Sequence, residues 1–227
     1  MNRAKAHRKR KDTPNILAPE LPELSGAKRC IRLAPPEVRS LAQNLIDDIE
    51  EHVWIRQARI VLVMTTGHKA DATGRVELGK ARRVGPLVKF LAGCSPDFVV
   101  ELNAGQWAAI TPDQQAALMD HELSHCGPVI AGRFVGLAKE AEFLAEIGPR
   151  LIEVCEDVRD DKGRCLVRYV RQADDGRPAW KIRHHDVEDF VGVMGRWGGW
   201  TDTHVRMIDV LEKADPQLRL IPAGAAG

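Results

Sequence analysis

The stretch Thr111-Pro112-Asp113-Gln114-Gln115-Ala116-Ala117-Leu118-Met119-Asp120-His121-Glu122-Leu123-Ser124-His125-Cys126-Gly127-Pro128 decides how the rest of the chain is read. Thr111 is a capping residue, Pro112 suits the first helical position, and Gln114 stands where it can close a capping box. Gly127-Pro128 supplies the stop signal. The spacing predicts a single helix of about 15 residues between these signals. In its last two turns His121 and His125 stand four positions apart, so their rings project from one face.

Two imidazoles at that spacing can hold one divalent ion, and neutral imidazole is a common ligand of zinc. Glu122 follows the first histidine, displaced by about 100° around the helix axis. That displacement turns it toward an open coordination position rather than toward the ion. The arrangement suits a general base acting on a metal-activated water while the metal polarises a scissile carbonyl. A catalytic site needs a third ligand. The compact metzincin spacing requires glycine at position 128 and histidine at 131; the chain has Pro128 and Ala131, which excludes that branch. Two solutions remain: a carboxylate from a downstream helix, Glu142 or Glu146, or a histidine from His184-His185-Asp186-Val187-Glu188-Asp189-Phe190. Asp186 could orient a ligand imidazole, and Glu188 could substitute as a ligand. Tyr169, His184 and Arg183 qualify by residue type for stabilising charge in a transition state.

Working outward, Pro36 to about His52 reads as a helix, with Leu41, Leu45, Ile46 and Ile49 at helical spacing. Ile60-Val61-Leu62-Val63-Met64 is a β-branched run that reads as a buried strand. Phe98 to Leu102 reads as a second strand, with Phe98, Val100 and Leu102 on one face. Gly79-Lys80-Ala81-Arg82 suggests a hairpin. Leu137 to about Val158 reads as one helix. Cys165 to Val170 and Trp180 to Ile182 read as a hairpin turned by Asp174-Asp175-Gly176. His185 to Trp197 and His204 to Lys213 read as closing helices.

The 227 residues divide into an N-terminal tail, residues 1–35, one α+β domain, residues 36–215, and a C-terminal tail, residues 216–227. The first tail is read as disordered, being rich in proline and without sustained periodicity. Within it Arg3, Lys5, Arg8, Lys9, Arg10 and Lys11 make residues 1–12 a candidate contact arm for nucleic acid. The net charge of +1 gives the body no such demand. No apolar run is long enough to span a membrane, and none follows the N-terminal charges as a signal peptide requires. Five cysteines without paired spacing point to reduced thiols and a cytoplasmic location. Cys126, next to His125, is expected to be a small buried residue rather than a ligand.

Asp120-His121-Glu122-Leu123-Ser124-His125-Cys126-Gly127, followed later by His185-Asp186-Val187-Glu188-Asp189-Phe190, resembles the putative phage metallopeptidase family. Gly79-Lys80-Ala81-Arg82-Arg83-Val84 and Asp97-Phe98-Val99-Val100-Glu101 are similar to it as well. SprT-like proteases are more distantly similar. The resemblance spans roughly residues 36 to 200. It implies a zincin-like metalloprotease fold, with a small mixed or antiparallel sheet and the H-E-x-x-H helix at the active site. It also implies Zn2+ as cofactor, His185 as third ligand beside His121 and His125, and a peptide or protein substrate. A phage protein of this kind would act in the host cytoplasm. Phe98 to Leu102 is expected as the edge strand that pairs an extended substrate. The segment from Pro128 to Arg164 is long for the family and is expected to be an insertion. Two other functions compete: a DNA-associated SprT-like protease delivered by the basic tail, and a non-catalytic protein stabilised by zinc.

Overall fold

The structure, a computed structural model, describes residues 16–19, 24–25, 30–70, 72, 76–85, 95–183, 193 and 196–198. In chain order the elements are β1 (Ile16–Leu17), β2 (Leu24–Ser25), β3 (Cys30–Leu33), α1 (Pro36–Asp48), β4 (Ile60–Thr65), β5 (Gly79–Arg83) and β6 (Phe98–Asn103). They continue with α2 (Ala104–Ala109), α3 (Pro112–Ser124), β7 (Cys126–Pro128), β8 (Ile130–Val135), α4 (Leu137–Ile147), β9 (Leu151–Arg159), β10 (Cys165–Val170) and β11 (Trp180–Ile182). Short 3-10 turns cover Glu50–His52, Ile55–Gln57 and Gly148–Arg150. The fold is α+β. Among the described residues no helix is long and apolar enough to cross a membrane.

The main sheet is mixed and six-stranded, in the order β2-β3-β4-β6-β5, with β1 pairing the far end of β4. Every residue of β4 is buried, which is why this strand reads as an unbroken apolar run rather than an alternating one. β6 lies parallel to it in the register Ile60↔Phe98 to Thr65↔Asn103. Phe98, Val100 and Leu102 are fully buried on one face, as their alternation requires. Val38, Ala42, Leu45 and Ile46 of α1 and Ala117, Leu118, Met119 and Leu123 of α3 join these strands in one hydrophobic cluster. Each large side chain so buried stabilises the fold by about 2 kcal/mol.

Helix α3 starts as its sequence requires. Thr111 Oγ1 accepts from the Gln114 N–H at 3.3 Å, and Gln114 Oε1 accepts from the Thr111 N–H at 3.0 Å. Thr111→Ala is expected to cost about 1 kcal/mol in urea unfolding, since it leaves a helix-end donor without its partner. An unchanged midpoint at unchanged slope would show that the cap is idle.

Several expectations are corrected. β6 is an interior strand; the edge of the sheet is β5, antiparallel to β6 from Gly79↔Leu102 to Arg83↔Phe98. Its charged residues suggested a hairpin, but an edge strand tolerates them: Arg82 pairs across to Glu101 at 2.9 Å and Lys80 to Glu77 at 2.9 Å. The domain begins before residue 36, because Ile16–Leu17 and Cys30–Leu33 are strands of the main sheet, too short to show periodicity. The helix beginning at Leu137 stops at Ile147, and residues 151–159 are a strand. Gly148-Pro149 forces that break, since proline cannot continue a helix. Trp180–Ile182 pairs with β7 rather than with β10. The turn at Asp174-Asp175-Gly176 does form, closed by the bridge Gln172↔Pro178.

β8, β9 and β10 form a separate antiparallel sheet, on which Phe143 and Ile147 of α4 cluster with Val135 and Val167. The segment expected as an insertion therefore builds a second small core. The basic arm, residues 1–12, the helix at 204–213 and the C-terminal tail lie outside the described residues.

Candidate metal centre

Successive residues of α3 fan out by about 100°, so Asp120 and Glu122 point to opposite flanks of the helix. His121 lies between them, and His125, one turn on, shares its face. The two rings stand 5.1 Å apart between centroids and 85° to one another. His125 Nδ1 lies 3.0 Å from the carbonyl oxygen of Arg183, which can only accept. The proton therefore sits on Nδ1, and Nε2 carries the lone pair that a metal requires. The Arg183 N–H returns a bond to the His125 carbonyl at 2.7 Å.

Pairing of β11 with β7 brings Arg183 to that position. Gly127 leaves room for it: a Cβ there would collide with Arg183 Cδ. Cys126 is buried beside it, with its thiol 3.9 Å from the Glu122 carbonyl. Burial pushes that thiol well up, so it is a small apolar group. The four described cysteines are all unbridged.

On one flank, Glu122 is 4% exposed and packs against β5. The ladder fixes which β5 groups it meets. Asn103 N–H donates to the Leu78 carbonyl, and Val84 N–H to the Asp97 carbonyl, each at 2.9 Å. By antiparallel alternation Lys80 and Arg82 exchange bonds with β6, while the backbone groups of Gly79, Ala81 and Arg83 face outward. Glu122 accepts the outward Ala81 N–H, and its Oε2 is buried with no hydrogen-bond partner. Burial pushes the carboxyl up to about 7; the Ala81 bond opposes this, nearby Glu77 adds to it and Lys80 opposes it.

On the other flank, Asp120 is 0% exposed and collects donors from distant parts of the chain. His52 Nε2 reaches Oδ1 at 2.8 Å, Arg196 Nε reaches Oδ2 at 2.9 Å, and Trp197 Nε1 reaches Oδ2 at 2.7 Å. Arg196 also bonds Oδ1 at 3.3 Å and Glu51 at 2.8 Å. Burial alone would raise this carboxyl, but the bonds from His52 and Arg196 outweigh it and hold the group below its usual range.

His121 and His125 stand side by side, and Glu122 lies on the neighbouring flank of the helix, against β5. Glu142 and Glu146 lie exposed on α4, over the second core, and line a different pocket with Arg133, Lys139 and Arg164. Tyr169 packs edge-on against Phe143 in that same core, with ring centroids 5.5 Å apart. Neither Glu146 nor Tyr169 joins the histidines. Among the described residues no group of three His, Cys, Asp or Glu side chains could hold a metal. His184, His185, Asp186 and Glu188 lie outside the described residues. The two imidazoles fit a zinc ion in type, and His125 also in tautomer, as a partial ligand set.

Sequence reasoning gave no site role to Asp120, His52, Arg196 or Gly79, and read Trp197 only as a core or cleft-wall residue. One signal was available: an aspartate beside His121, directly after the apolar run Ala116 to Met119, must find buried partners.

A family model described as Putative phage metallopeptidase matches residues 32–212. Neither the curated proteins nor the solved structures compared gave a match.

Proposed function

Because the chain belongs to the putative phage metallopeptidase family, we propose that it is a zinc-dependent endopeptidase of zincin-like fold. His121, His125 and His185 hold the ion, with Glu122 as general base. The observation that carries this reading is the pairing of two features on α3. His125 has Nε2 set for a metal by the Arg183 carbonyl, and Glu122 stands against β5, the margin of the main sheet among the described residues, where it accepts the Ala81 N–H. His185 is preferred as third ligand by the family resemblance, with His184 as its alternate; both follow closely on Arg183, which is bonded twice to His125. Asp186 and Glu188 follow in the same run and are candidates to orient the ligands.

When bound, zinc supplies a Lewis acid that acidifies water and polarises the substrate carbonyl. The protein's own groups do the rest. The outward backbone groups of Gly79 and Arg83, on either side of the Ala81 N–H that Glu122 holds, offer an extended peptide a strand to pair with. Glu122 Oε2, the oxygen with no partner, takes the proton from the attacking water and passes it to the leaving amine nitrogen. A carboxyl near neutrality is suited to both transfers, since it gains and loses a proton at little cost.

Metal analysis of the purified chain is expected to find one zinc. Alanine at His121 or His125 should remove it, as should alanine at one of His184 and His185. Cleavage of a mixed peptide library should stop with chelator and return with zinc. Zinc binding indifferent to His121 and His125 would overturn the reading. Stoichiometric zinc without any cleavage would favour the non-catalytic, metal-stabilised protein instead.

A further inference from the structure

We propose that Asp120 is a positioning residue of the metal centre, one that fixes the rotation of α3 about its axis and with it the direction of His121. The inference rests on the zinc-site reading above and deepens it.

A helix packed by apolar contacts alone can turn a few degrees without losing much, because dispersion contacts are individually weak and non-directional. Directional bonds on opposite flanks remove that freedom. Glu122 is bonded to the Ala81 N–H on one flank, and Asp120 takes three different donor groups on the other, with His121 between them. The donors to Asp120 come from two separate places: His52 from the turn after α1, and Arg196 with Trp197 from beyond the histidine pair at 184–185. Asp120 therefore ties the part of the chain that follows His184 and His185 to the helix that carries His121. Arg183 ties the part that precedes them to His125. Both tethers end on α3, at Asp120 and at its C-capping residue His125.

A purely structural role would predict that Asp120 matters only for folding. The positioning role predicts a change in the metal itself. Zinc affinity of the full chain, measured by chelator competition, is expected to fall about 10- to 100-fold in Asp120→Asn, the range for groups that orient ligands. Arg196→Met should weaken zinc in the same direction, and Trp197→Phe by less. The cobalt-loaded Asp120→Asn and Arg196→Met proteins should show altered visible absorption. Ile46→Val, a core truncation on α1, lowers stability but should leave both affinity and spectrum unchanged. If Asp120→Asn fails to fold, Arg196→Met and Trp197→Phe decide, since they remove the bonds from the far side. Wild-type affinity and an unaltered cobalt spectrum in the folded variants would overturn this inference while leaving the zinc site standing. A wild-type chain that binds no zinc would overturn the proposed function as well.

Discussion

Glu122→Gln is expected to lower peptide hydrolysis on the order of 10³-fold while leaving zinc content unchanged. Glutamine keeps the shape and can still accept the Ala81 N–H, but it cannot take a proton from water. The same substitution should change how stability depends on pH, which makes the result independent of any substrate. In metal-free protein the folded carboxyl titrates at about 7 against an ordinary value of 4.5. The folded state therefore holds the proton more tightly than the unfolded chain. Its contribution is fully present below pH 4.5, is lost as pH rises toward 7, and changes no further above it. The loss is about 3 kcal/mol by linkage. Chelator-treated wild type should thus melt lower at pH 8 than at pH 5, by more than chelator-treated Glu122→Gln does. Equal pH slopes in the two proteins would show that the carboxyl is not held as described, and full hydrolysis by the variant would remove Glu122 as the base.

Gly79→Ala should give the second-largest effect, through sterics alone. A Cβ at position 79 would stand 2.9 Å from Glu122 Oε1, 3.0 Å from its Cγ and 3.1 Å from its Cδ. The β5 backbone is held by its ladder to β6, so the carboxylate is the group that must move. A displacement of about 1 Å at a reacting group can cost roughly 10²-fold in rate. We expect kcat to fall by that order, with zinc affinity unchanged and the melting temperature little altered. Wild-type kcat in this variant would mean that Glu122 has room to work elsewhere.

How much of this was legible in the sequence depends on how local the signals were. The α3 helix was readable because Thr111, Pro112 and Gln114 fix its start within four residues, and the histidine spacing lies inside it. β4 and β6 were readable from their β-branched runs. The edge strand was not: Gly79-Lys80-Ala81-Arg82-Arg83 has the composition of a turn, and only its partner Glu101 and its place at the sheet margin make it a strand. β9 was not legible: Leu144, Ile147, Leu151 and Val154 keep helical spacing across Gly148-Pro149, so the proline alone marks the break. The His52–Asp120 and Arg196–Asp120 bonds join residues far apart in the chain, so no local pattern could announce them.

The way β7 and β11 are joined has a consequence for how this chain tolerates change. Val129 N–H donates to the Ala179 carbonyl at 2.7 Å, directly beyond the pair Trp180↔Pro128. The second sheet and α4 lie in the chain between these two residues, beyond the tip of a two-stranded hairpin, and Arg177 of the same segment also pairs with Asp97 beside β6. The entropy of closing such a loop rises only slowly with its length. That tip is thus a natural docking port in the sequence, where segments of very different size could be exchanged while His125 and Arg183 keep the same handshake.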